Sequence, residues 1–140
     1  MNRRKFIKKT ALATTASFLP SSLFAISSNK LQVGIIGTGL RGQWMTKLLL
    51  DRSDVDIPVI CDIDEKMIDM VLNVFEKQGR PKPKIYKDGP EDFRNMVSNE
   101  DLDGVYIATP WEWHHPMAIA AMENDCNVGT EVPAALTIDE

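Results

Sequence analysis

Three glycines stand at G-x-G-x-x-G spacing in Gly37-Thr38-Gly39-Leu40-Arg41-Gly42, directly after the β-branched run of Val33, Ile35 and Ile36. Between a strand and a helix, glycines so spaced suit one task, the holding of a pyrophosphate. Gly37 permits the tight turn, Gly39 lets a phosphate approach the backbone, and Gly42 lets the helix pack close on the strand. The phosphates would rest on free N–H groups at the helix N-terminus, where the helix dipole favours negative charge. Asp62 closes the next apolar run, Ile57-Pro58-Val59-Ile60-Cys61. An acid there accepts hydrogen bonds from a ribose diol and repels a 2′-phosphate, which favours NAD over NADP. A glycine-rich turn that binds nothing is the alternative reading.

A second group of reactive side chains is Trp111-Glu112-Trp113-His114-His115, after the apolar run 104–108. Two flat rings, an acid and a histidine can wall a nicotinamide pocket, with Trp111 and Trp113 as flat contacts and His114 as a polar one. Alternatively one Trp packs on the sheet and the histidines are turn residues, the reading preferred for His115.

These residues need a scaffold, and the pattern supplies one. Strands are expected at 31–36, 57–61, 85–86, 104–108 and 127–130. Helices are expected at 41–50, with Trp44, Leu48 and Met45 inward, and from Asp64-Glu65 to about Gln78, with Met67, Met70, Val71, Val74 and Phe75 inward. Further helices are expected at 91–97 and 116–123, and another begins near Leu136. Alternating βα units imply an α/β fold with a doubly wound parallel sheet, and ligands then sit beyond the carboxyl ends of its strands.

Residues 1–27 read as a twin-arginine export signal. Arg3, Arg4, Lys5, Lys8 and Lys9 precede an apolar, hydroxyl-rich stretch that is too short and polar for a stable membrane span. The expected location is the periplasm. The whole chain carries 16 basic and 20 acidic residues. Without those five basic residues, 11 remain against 20 acids, net −9, which argues against a nucleic-acid partner. Cys61 and Cys126 read as buried free thiols, and no His/Cys cluster suggests a metal site. Residues 28–140 form the second expected unit, a nucleotide-binding domain that looks truncated. Whether copies assemble as a homo-oligomer is open.

The order strand, GxGxxG, helix, acid, Ala-Thr-Pro-x-x-x-His, Glu-x-Pro over residues 31–140 resembles the Gfo/Idh/MocA group of sugar-handling NAD(P) proteins, which have a Rossmann-type domain. Within it, GTGLRGQ at 37–43, YIATPWEWHHPMAIAAM at 106–122 and EVPAALT at 131–137 resemble glycoside hydrolase family 109. That resemblance implies an NAD-dependent glycosidase typified by α-N-acetylgalactosaminidase, acting on the terminal sugar of a glycan. Oxidation at C3, elimination of the aglycone, water addition and re-reduction would follow one another. It also implies cofactor contacts at Leu40, Arg41, Asp62, Glu65, Trp111, Glu112, Trp113, His114 and Glu131. The family's proton-transfer residues lie in a later α+β domain, beyond Glu140, so this stretch alone should not turn over substrate. Two departures from the wider group stand out. Val132 replaces a lysine that moves the hydroxyl proton in sugar dehydrogenases, and Asp125-Cys126-Asn127 stands where Gly-Lys-His is frequent. The competing readings are an NAD(P)-dependent sugar oxidoreductase and an inactive nucleotide-binding module.

Overall fold

The computed structural model describes residues 30–139, so the export signal expected at 1–27 lies outside the described residues. The expected apolar runs become strands, and the helices expected up to residue 123 form. The order is β1 (Leu31–Ile36), α1 (Leu40–Leu50), β2 (Val55–Cys61), α2 (Glu65–Lys77), β3 (Lys84–Tyr86), α3 (Asp92–Asn99), β4 (Gly104–Ile107), a 3₁₀ turn (Trp111–Trp113), α4 (His114–Glu123) and β5 (Asn127–Thr130). All pairings are parallel, in the order β3-β2-β1-β4-β5. This is the doubly wound α/β sheet that the alternation implies.

Side chains alternate across the central strand, so Ile35 and Ile36 enter different cores. Ile35 joins Ile57, Ile60, Ile68, Val71 and Phe75 under α1 and α2. Ile36 joins Val59, Phe93, Met96, Ile107 and Met117 under α3 and α4. The helices change faces after β3. The connection therefore reverses beside β1, and a crevice opens between β1 and β4 at their carboxyl ends, where ligands bind in such sheets. The Asp64 side chain caps α2 by accepting from the amides of Lys66 and Met67, worth about 1 kcal/mol.

Several expectations shift. Trp44 and Leu48 face outward on α1, while Gly42, Thr46 and Leu50 are buried. Gly42 sets this roll, because its Cα lies against the turn at Gly37. On α2, Ile68 takes the core position and Met70 is exposed. Helix α4 starts at His114, two residues earlier than Pro116, because the 3₁₀ turn feeds straight into it. Residues 131–139 hold neither helix nor strand. Leu136 and Ile138 are exposed there. Asp125 adopts φ 64°, the left-handed region that glycine enters without strain.

Candidate functional site

The turn after β1 is built as the glycine spacing requires. Gly37 has φ +89°, and a Cβ there would lie 2.8 Å from the Ala108 carbonyl and the Thr109 amide. The two walls of the crevice thus meet backbone to backbone. Gly39 differs, because a Cβ on it would meet nothing within 4 Å. The open space beside it is the room that a phosphate approach needs. Gly39 provides no side-chain cap to α1, so first-turn amides at Leu40, Arg41 and Gly42 have no partner within the helix.

Asp62 does more than wait for a ribose. Its Oδ2 accepts from the Thr38 amide at 2.5 Å and from Thr38 Oγ1 at 2.8 Å, and its Oδ1 accepts from the Asp64 amide at 2.9 Å. Thr38 is fully buried. The acid therefore ties the glycine turn to the end of β2, and one acceptor position, on Oδ1, remains for a further donor.

A cavity of about 230 Å³ opens at this point, walled by Gly37, Gly39, Asp62, Ile63, Thr109 and Trp113. Its lining suits part of a dinucleotide: a glycine turn without a side chain, an anchored acid and an apolar floor. Cys61 also lines it. Burial, then the charges of Asp92 and Asp62, push that thiol up to about 12, so it stays protonated.

The Trp-Glu-Trp-His segment is divided by the 3₁₀ turn. Trp113 is half-buried, lines the cavity and meets Phe93 edge to face at 6.2 Å. Trp111 and Glu112 are exposed. His114 is fully buried. Its Nδ1 lies 2.7 Å from the Pro133 carbonyl and its Nε2 2.8 Å from the Thr109 carbonyl. The histidine expected as a polar pocket contact thus has both ring nitrogens against backbone, because the early start of α4 turns it inward. It joins the turn after β4 to the turn after β5.

Glu131 follows β5 and is anchored by its amide to the Ile107 carbonyl. Arg41 makes a two-pronged pair with it, Nε to Oε1 at 3.1 Å and Nη2 to Oε2 at 3.2 Å, and the Tyr106 hydroxyl donates to Oε1. The Tyr106 bond first and the Arg41 bond second hold the Glu131 carboxyl below its usual value. Burial, then Glu131, push Tyr106 up to about 12. Val132 beside it is exposed. Glu65 stands apart from the cavity, paired with Lys87 at 2.7 Å, which lowers its carboxyl. Sequence reasoning missed Thr38 and Tyr106. A tyrosine in a strand covered on both faces must find a partner for its hydroxyl, and that was the available signal. Among the described residues no three His, Cys, Asp or Glu side chains gather to hold a metal ion. Nor is any described helix long and apolar enough to cross a membrane.

The comparisons agree with this geometry. A glycosyl hydrolase family 109 protein from Stenotrophomonas maltophilia is 38% identical, with 100% of this chain and 31% of the relative covered. One from Saccharopolyspora erythraea is 43% identical over 79% of this chain and 24% of the relative. The chain thus spans about a quarter to a third of the length of these curated relatives. Among solved structures, scyllo-inositol dehydrogenase from Lactobacillus casei, with NAD(H) and scyllo-inositol bound, superposes with a TM-score of 0.65 at 21% identity, over 79% of this chain and 30% of that one. That similarity shows the fold. The model of the oxidoreductase family with an NAD-binding Rossmann fold matches residues 31–140. The chain belongs to the Gfo/Idh/MocA family, carries its Rossmann fold, and takes NAD as its cofactor.

Proposed function

We propose that this chain is the NAD-binding part of an exported glycosidase that hydrolyses terminal α-N-acetylgalactosaminides by NAD-assisted oxidation, elimination, water addition and re-reduction. Val132 carries the reading. It stands exposed beside Glu131, where the sugar dehydrogenases of the resemblance place a proton-moving lysine, and a valine neither gives nor takes a proton. The names of the curated relatives support the same choice.

When bound, NAD would accept a hydride from the sugar and return it within each turnover. The chain's own groups bind and orient. The first-turn amides of α1 and the open face of Gly39 receive the diphosphate. Asp62 accepts from the adenosine ribose and repels a 2′-phosphate. Trp113 supplies a flat wall, and Glu131 offers a carboxylate at the far end of the crevice. Leu40, Arg41, Trp111 and Glu112 lie outside the cavity's lining and are assigned to the cofactor by the resemblance. Proton transfer to the sugar is assigned to residues outside this chain.

The test is NAD⁺ retained by the purified full-length protein, followed by release of p-nitrophenol from p-nitrophenyl α-N-acetylgalactosaminide. Retained NAD⁺ and release without net NADH support the glycosidase. NADH accumulating on free sugars makes the protein a dehydrogenase. Retained nucleotide with neither activity leaves a binding module. Export through the twin-arginine route fits a protein that captures its nucleotide before crossing the membrane. Changing Arg3→Lys and Arg4→Lys together should hold the protein inside the cell, and undiminished export would refute the route.

A further inference from the structure

The Glu131 carboxylate joins three elements, and its two donors differ in kind. Arg41, from the first turn of α1, is long and its side chain is 60% exposed, against 21% for Glu131. Tyr106 is short and held on both sides. Its ring packs on the core under α1 and α2, and a Cβ on Gly129 of β5 would come within 3.3 Å of it. A carboxylate accepts about four hydrogen bonds. Here Tyr106 and Arg41 Nε use Oε1, and Arg41 Nη2 uses Oε2. A ribose diol brings two donors, and Glu131 cannot accept both while Arg41 keeps its two bonds. Arg41 has a competing partner of higher charge, since it lies within the helix turn that cradles the diphosphate.

We propose that Tyr106 is a positioning residue for Glu131: its hydroxyl holds the carboxylate aimed at the cofactor when Arg41 exchanges Glu131 for the diphosphate. This rests on the reading that Glu131 contacts NAD. The groups facing the carboxylate are Tyr106 from β4, Arg41 from α1 and, at longer range, His114 from α4. Once Arg41 leaves, the phenol is the remaining direct donor, and its proton stays on oxygen across the neutral range.

The experiment measures NAD⁺ affinity of the full-length protein from about pH 8 down to about pH 5, across the ordinary carboxyl range, for wild type, Tyr106→Phe, Glu131→Gln and the double variant. Wild type should stay nearly flat. Tyr106→Phe should weaken binding about tenfold and weaken it further toward acid, as Glu131 protonates at higher pH. In the Glu131→Gln background, Tyr106→Phe should add less than about twofold. A Tyr106→Phe protein with wild-type affinity and profile, whatever its melting temperature, overturns the proposal. If Glu131→Gln itself leaves affinity unchanged, the Glu131 contact fails and the proposal falls with it. Should Tyr106→Phe not fold, Arg41→Gln decides. It should weaken binding equally at every pH, and a new acid limb there would show that Arg41, and not Tyr106, holds Glu131.

Discussion

A Cβ atom on Gly42 would lie 2.0 Å from the carbonyl oxygen of Gly37, closer than atoms not bonded to each other can come. The contact is between backbone and backbone, so no rotamer relieves it. It seats α1 on the turn after β1 and sets which face of the helix enters the core.

Gly42→Ala and Gly39→Ala should therefore separate packing from binding. Gly42→Ala is expected to cost at least about 3 kcal/mol in urea denaturation. Gly39 has φ −60° and open space around it, so Gly39→Ala should change stability by less than about 1 kcal/mol while lowering NAD⁺ affinity. Equal losses of stability in the two variants would refute this division.

Asp62 should resist simple engineering of cofactor preference. Asp62→Ala orphans the Thr38 amide, the buried Thr38 hydroxyl and the Asp64 amide. The expected cost is about 2–4 kcal/mol, read from denaturation midpoints, and NADP affinity should not rise to match the former NAD affinity. A stable Asp62→Ala protein with strong NADP binding would show that the acid is not needed to hold the turn.

His114 and Trp111, three residues apart, should behave differently. His114→Ala removes the imidazole lodged between the Thr109 and Pro133 carbonyls and leaves a buried hole, for an expected loss of about 2–4 kcal/mol with weakened NAD⁺ binding. Trp111 is 61% exposed, so Trp111→Ala should cost less than about 1 kcal/mol. Thermal melts of the two variants decide the matter.

Alkali should loosen the chain through two groups, Tyr106 and Cys61. Tyr106 is raised from 10.0 to about 12 and Cys61 from 9.0 to about 12. Across that window the folded state keeps protons that the unfolded state has lost. Stability is therefore fully present below about pH 9 and falls as pH rises toward about 12. Urea midpoints should drop between about pH 9 and about pH 10.5, and less steeply in Cys61→Ala and in Tyr106→Phe. A drop of equal size in both variants would remove these two groups as its source. Both thiols are buried, so a disulfide-exchange dye should label them only on denaturation.

Local spacing made most of the frame legible. The apolar runs became strands, Gly37, Gly39 and Gly42 formed the turn, and Asp62 arrived at the end of β2. Such features depend on neighbours a few residues away, and the periods of helix and strand expose them directly.

Tertiary structure decided what lies between distant residues. Arg41 and Glu131 are 90 positions apart, and no local pattern links them. They meet because β4 pairs beside β1 and β5 beside β4, all parallel, which brings the turns after β1 and β5 to the carboxyl end of the sheet. The same packing turned His114 inward and left Trp44 outside. Composition and periodicity specify which residues can be buried. Which ones are buried follows from the roll of each helix, and here one close contact, Gly42 on Gly37, sets that roll for α1.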